Sequence, residues 1–191
     1  MQKTIAVLFA LVFICTTCYA GIGARVGINY TGIFAPGIST TMGSGLTAGL
    51  TYNTEVVPYA QLQFELLFDR HQMAFDDDSV TSYSISMDYV RLPALVRLHI
   101  AGQGGPVTGF LQGGVDLGIK VRDRVSVGGD TSAIEGLIPI DCCWIAGGGA
   151  EIAGFLSADI RIYRSLFAIA DKDEMGDLRN FGIAFGLGIS F

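Results

Sequence analysis

The chain has 191 residues, 50% of them hydrophobic and only 16% charged, and a formal net charge of −6. A soluble domain usually carries about 25% charged residues, yet beyond residue 20 no uncharged apolar run reaches the roughly 18–20 residues that a spanning helix needs. High hydrophobicity without spanning helices leaves a dry core or a membrane barrel, in a single domain whose 26 glycines favour strands and turns over helices; nothing in the acidic balance suggests nucleic acid, which demands a basic stripe.

Residues 1–20 read as a secretory signal peptide that is cleaved. Lys3 supplies the positive start, Ile5 to Ile14 the apolar stretch, and Cys18-Tyr19-Ala20 a small-x-small cleavage site. The domain proper is then residues 21–191, holding only Cys142 and Cys143. Neighbouring cysteines on a strand point to opposite faces and are badly placed to bond each other. Their spacing matches no zinc motif.

Eight strands follow, each with a bulky apolar face and a small or charged face, because successive strand side chains alternate. Strand one (21–31) puts Ile22, Ala24, Val26, Ile28 and Tyr30 on one side, Arg25 and Asn29 on the other. Strand two (45–53) sets Leu46, Ala48, Leu50 and Tyr52 against Thr47, Thr51 and Asn53. Strand three (60–69) sets Ala60, Leu62, Phe64, Leu66 and Phe68 against Gln61, Gln63, Glu65 and Asp69. Strand four changes phase. Its polar positions are even from Ser82 to Asp88 and odd from Arg91 through Arg97 to His99. A one-residue slip reverses every side chain, so the pattern predicts a bulge near Asp88 to Val90, or else a Ser-rich stretch lying beyond the lipid where alternation is free. Pro93 lacks a ladder donor and belongs near an irregularity.

Strand five (108–122) opposes Leu111, Val115, Leu117, Ile119 and Val121 to Gln112, Asp116, Lys120 and Arg122. Strand six (141–153) has Trp144, Ala146, Ala150 and Ile152 against Glu151, and strand seven (155–164) has Leu156, Ala158, Ile160 and Ile162 against Ser157, Asp159, Arg161 and Tyr163. Strand eight (180–191) alternates Phe181, Ile183, Phe185, Leu187, Ile189 and Phe191 with Asn180, Gly182, Ala184, Gly186, Gly188 and Ser190. Connections 32–44, 70–81, 123–140 and 165–179 are long, whereas 54–58, 101–107 and the turn at Ala153-Gly154 are short. Long loops at one end and short turns at the other is how outer-membrane barrels are built.

Periodicity alone does not say which face is inside. A soluble lipocalin-like barrel that binds an apolar ligand inverts the arrangement. The charges decide: Glu65, Asp69, Asp116, Glu151 and Asp159 nearly balance Arg25, Arg91, Arg97, Lys120, Arg122 and Arg161. A solvated surface has no need of that balance. An eight-stranded interior does, since side chains fill it and buried charges must be paired. These eleven residues are therefore the expected lumen charge network of an all-β, eight-stranded antiparallel transmembrane β-barrel. Such a barrel lies in the bacterial outer membrane, with lipid as its first partner.

Several segments resemble the PorT-type outer-membrane β-barrel family of Bacteroidetes-like bacteria: residues 24–29 (ARVGIN), 59–68 (YAQLQFELLF), 109–116 (GFLQGGVD), 146–151 (AGGGAE), the Phe191 end, and most specifically 89–97 (YVRLPALVR). The Cys142-Cys143-Trp144 stretch departs from the family's simpler apolar pattern. The resemblance implies an eight-stranded barrel inserted by the outer-membrane assembly machinery, which reads the terminal aromatic strand. It implies no defined enzyme site.

Four further constellations stand out in the sequence. His71, with Asp69, Ser79 and Ser82, is the candidate for a rim lipid-modifying enzyme, and His99 sits at the opposite end. Asp76-Asp77-Asp78 and Asp171 to Glu174 offer oxygen ligands but lack calcium-loop spacing. Gly147-Gly148-Gly149, Gly102 to Gly105 and Gly128-Gly129 lack the lysine of a phosphate loop. Tyr30, Tyr52, Tyr59, Tyr89 and Trp144 are candidates for interfacial girdles. The expectation is a non-enzymatic scaffold or adaptor, without cofactor or metal, whose loops meet an unidentified extracellular or periplasmic protein partner. A narrow-channel porin is the alternative.

Overall fold

Alternating bulky and small side chains favour strands, and among the described residues the chain forms strands and turns with no helix. A computed structural model describes residues 20–34, 42–75, 83–102, 105–127, 130–132, 139–167 and 179–191. The strands are β1 (Ala20–Phe34), β2 (Gly43–Val57), β3 (Ala60–Phe75), β4 (Tyr83–Ala101), β5 (Val107–Val127), β6 (Asp130–Ser132), β7 (Ile140–Ile152), β8 (Leu156–Ser165) and β9 (Arg179–Ser190). β6 is a three-residue flap that pairs only with Val125 to Val127 at the end of β5. The other eight pair with their neighbours in antiparallel fashion, and β1 closes the sheet against β9. The result is a closed eight-stranded antiparallel barrel. Closure gives each of these eight strands two hydrogen-bonded flanks, the condition for a sheet surrounded by lipid.

The register carries both faces around the wall. Ala158, Leu187, Val26 and Ala48 form one row across β8, β9, β1 and β2, all facing outward. In the next row, Asp159, Gly186, Gly27 and Thr47 turn inward. Phe64, Leu117 and Phe185 are exposed on the perimeter, whereas Glu65 and Arg161 are each only 4% exposed inside. The apolar face is therefore outside.

At the short-turn end, Ala153 and Gly154 both take positive φ (54° and 75°). That is the conformation a tight hairpin with right-handed twist requires. Two glycines of β9 matter for a different reason. A Cβ on Gly186 would collide with the Arg25 guanidinium, and one on Gly182 with the Tyr163 ring. The slim face of the last strand is thus the space into which two large lumen side chains fit.

Two details depart from the sequence reading, and a third answers its expectation for Pro93. First, β4 does not reverse its phase. Arg70, Asp88 and Arg122 lie in one row, and Arg70 is exposed, so Asp88 faces outward, as the reading of a Ser-rich stretch beyond the lipid requires. The irregularity is real, but its extra residue is Val121 on β5, which has no partner between Lys120↔Tyr89 and Arg122↔Asp88. Second, β5 runs on to Val127 and turns back as β6, where a loop had been expected. Third, pairing of β4 with β3 lapses between Phe64↔Ala94 and Leu67↔Arg91 without a change of register. This gap spans Pro93, which has no N–H to donate.

The belt predicts a position-specific penalty. Leu187 lies in the middle of the apolar wall and is 58% exposed, so Leu187→Arg should lower the unfolding free energy in phosphatidylcholine vesicles by about 2–4 kcal/mol. Denaturant titration measures this, and an unchanged midpoint would contradict a lipid-facing Leu187.

Candidate functional site

The inward rows converge into two arginine-centred clusters. In the first, toward the short-turn end, Arg161 of β8 makes a bidentate pair with Glu65 of β3 at 2.7 and 2.8 Å. Its Nε also donates to Asp159 at 2.9 Å. Asp159 in turn accepts both terminal nitrogens of Arg25 from β1, and Gln63 donates to Glu65. Below them, Arg97 contacts Glu151 at 3.5 Å and lies 4.0 Å from the centroid of the Phe110 ring. Fork-to-fork pairs of this kind are the strong, geometrically specific form of ion pair.

The second cluster centres on Arg91 of β4. Its guanidinium reaches Asp69 at 3.0 Å, Asp116 at 2.6 Å and Asp141 at 3.4 Å, on β3, β5 and β7. It packs against the rings of Tyr89 and Tyr163. Asp69 is shared with His71 (2.8 Å) and with the Asn29 amide. Asp141 is held by Ser165 at 2.6 Å, Asn180 at 2.9 Å and the Cys143 thiol at 3.3 Å. Between the clusters lies a cavity of about 40 Å³ bordered by Asn29, Thr47, Asp69, Arg91, Asp116 and Arg161. That is room for two or three waters at about 10–15 Å³ each.

Of the expected network, Arg25, Glu65, Asp69, Arg91, Arg97, Asp116, Asp159 and Arg161 are buried together in the lumen. Glu151 and Lys120 sit half-buried toward its two ends, Lys120 paired with Asp123. Arg122 is not in the lumen. The Val121 bulge turns it onto the outer wall opposite Asp88.

Asp141, Cys143 and His71 belong to the lumen but were not assigned to it from sequence. Asp141 and Cys143 keep the odd phase of Glu151 along β7, a signal that was available. His71 had been read as a rim residue, yet it is 1% exposed, enclosed beside Asp69 and the edges of Tyr89 and Tyr163. Tyr89, expected at a girdle, is likewise inside, whereas Tyr30 is exposed on the wall and Tyr59 in the turn between β2 and β3. The interior is also less polar than expected, because Leu67, Met87, Leu95, Phe110 and Ile145 share it. Phe110 lies against the Arg97 guanidinium, and the others fill volume inside the wall. Ser79, Ser82, Asp76 to Asp78, Gly128-Gly129 and Asp171 to Glu174 lie outside the described residues.

The comparisons with known proteins agree with this architecture. The outer membrane protein beta-barrel domain model matches residues 17–171, and the chain belongs to that family. The PorT-type subdivision is not shown by this match. Among solved structures, Ail, the attachment invasion locus protein of Yersinia pestis in complex with the heparin analogue sucrose octasulfate, is similar over 91% of this chain and 99% of its own, with 13% identity and a TM-score of 0.55. Neisserial surface protein A is similar over 90% of this chain and 99% of its own, with 15% identity and a TM-score of 0.53. No curated protein sequence matches the chain.

The outer membrane enzyme PagL is similar over 88% of this chain and 98% of its own, with 12% identity and a TM-score of 0.48. The expectation that the chain is not an enzyme is corrected to an open question, an outer membrane enzyme being among the similar structures. The likeness is too slight to transfer an activity.

The lumen pairs should be strongly coupled. Arg161→Met leaves Glu65 and Asp159 short of a cation, and breaking a buried pair costs about 3–5 kcal/mol. The double variant Glu65→Gln/Arg161→Met should recover a substantial part of that loss. A double-mutant cycle in denaturant checks it, and strictly additive single effects would mean the pair is not coupled.

Proposed function

We propose that the protein is a structural scaffold of the bacterial outer membrane, exported by its N-terminal signal and inserted through its Phe191-terminated strand by the outer-membrane assembly machinery. The barrel holds four long connections at one end for an extracellular protein partner. The narrower reading as a PorT-type barrel rests on the segment Tyr89 to Arg97, whose Arg91 anchors the second lumen cluster. The acidic character of the loop sequences, Asp76-Asp77-Asp78 and Asp171 to Glu174 among them, favours a basic surface on that partner.

The observation that carries this reading is the filled interior. Arg91 spans from Asp69 to Asp116 and Asp141 across the lumen, and Arg161 bridges Glu65 to Asp159. Between these ties the free volume is about 40 Å³. An eight-stranded barrel is just wide enough for its side chains, so charges locked in pairs leave no continuous water path.

Reconstitution into planar lipid bilayers tests this. The folded protein should give no steady conductance at ordinary voltage. Stable, ohmic current steps from protein verified as folded would replace the scaffold reading with that of a narrow-channel porin.

A further inference from the structure

On three adjacent strands the apolar outer wall ends abruptly in charge. Along β3, the outward series Phe64, Leu66, Phe68 is followed by Arg70; along β4, Leu92 and Val90 give way to Asp88 and Ser86. Along β5, Val115, Leu117, Ile119 and Val121 give way to Arg122 and Arg124. Arg70, Asp88 and Arg122 form one row across the three strands, and Ser86 and Arg124 face each other one step further from the lipid belt. Two interstrand spacings place the Arg70 and Arg122 backbones about 10 Å apart.

The bulge builds this arrangement. In regular alternation Arg122 and Arg124 would follow Asp116 and Lys120 into the lumen. With Val121 as an extra residue on β5, both are re-aimed outward. Asp88 is the only carboxylate on this patch among the described residues, and Arg70 already grips it at 2.8 and 3.2 Å. Arg122 and Arg124 are exposed. The patch is therefore positive on a chain whose net charge is −6, and it stands where the hydrocarbon-facing surface stops.

We propose that Arg70, together with Arg122 and Arg124 presented by the Val121 bulge, binds the phosphate groups of an anionic glycolipid of the outer leaflet. Guanidinium groups match phosphate in geometry and make charge-assisted paired hydrogen bonds to it. The patch is continuous with Phe68, Val90 and Ile119, so one molecule can rest its acyl chains on the wall and its phosphates on the arginines. A soluble polyanion gains nothing from that adjacency, which is why a lipid is the occupant chosen.

The test uses the full barrel refolded in detergent micelles, with bisphosphorylated lipid A and its dephosphorylated form as probes and native mass spectrometry as readout. The wild type should prefer the phosphorylated form, and added salt should weaken that binding. Arg122→Gln/Arg124→Gln should bind it at least tenfold more weakly while its residual binding of the dephosphorylated form is unchanged. Asp88→Asn, which frees Arg70, should bind the phosphorylated form more tightly. Heat-modifiable migration verifies that each variant is folded; if the double variant does not fold, Asp88→Asn and the salt series decide. Equal binding of the two lipids by the wild type, an unchanged affinity in the double variant, weaker binding by Asp88→Asn, or displacement by a soluble sulfated polysaccharide at equal phosphate and sulfate concentration would overturn the proposal.

Discussion

The barrel depends on the neutralisation of buried charge across its axis. Placing Glu65, Asp159, Arg25 and Arg161 inside a lipid-wrapped sheet is costly, because each ion loses its water. The cost is offset only if the partners arrive from different strands in one geometry. Arg161 joins β8 to β3, Asp159 joins β8 to β1, and Arg91 joins β4 to β3, β5 and β7. Hydrogen bonds from Asn180 and Ser165 to Asp141 bring in β9 and the outer end of β8. A slipped register on any one of these strands would strand a charge without its counterpart, so the ion pairs specify which of the sheet's alternative pairings is native.

The second constraint is steric. Large cations at the centre of a narrow barrel need somewhere to lie, and the terminal strand supplies it. Arg25 occupies the space over Gly186, and Tyr163 the space over Gly182. The Tyr163 hydroxyl then reaches Thr31 on β1 at 2.6 Å. The strand that closes the barrel is thus small on its inner face because its neighbours on β1 and β8 carry the bulk. Its outer face is the opposite, with Phe181, Phe185 and Leu187 against the lipid.

Most of this was legible in the sequence wherever a period of two was unbroken. The faces of β1, β2, β3, β7, β8 and β9, and the lumen positions of Arg25, Glu65, Asp159 and Arg161, follow from alternation together with the rule that buried charges pair. What was not legible depends on two strands at once. The polar pattern changes near Asp88 in the β4 sequence although β4 keeps its alternation, and nothing in that segment says that the extra residue is Val121 on β5, which turns Arg122 outward. Strand ends are the other blind spot. His71 and Tyr89 lie close to where the lumen ends, and their polar or amphipathic side chains fit a rim as well as an interior. Only the positions of Asp69 and Arg91 show that they are enclosed.

These two limits have one physical origin. Alternation encodes orientation relative to the local strand, whereas a bulge changes the orientation of everything beyond it without altering composition. The consequence is a partition of charge that the sequence alone obscures. The lumen arginines are tied up with Glu65, Asp69, Asp116, Asp141 and Asp159. The acidic surplus resides in the segments between strands, at Asp76 to Asp78 and Asp171 to Glu174. Arg70, Arg122 and Arg124 stand on the outer wall at the edge of the apolar belt. Were Val121 paired in regular alternation instead of bulged, two of those arginines would enter a lumen already crowded by Arg91 and Lys120, where each would need a further buried carboxylate. The bulge therefore relieves an electrostatic conflict inside the barrel and helps to build a cationic surface outside it.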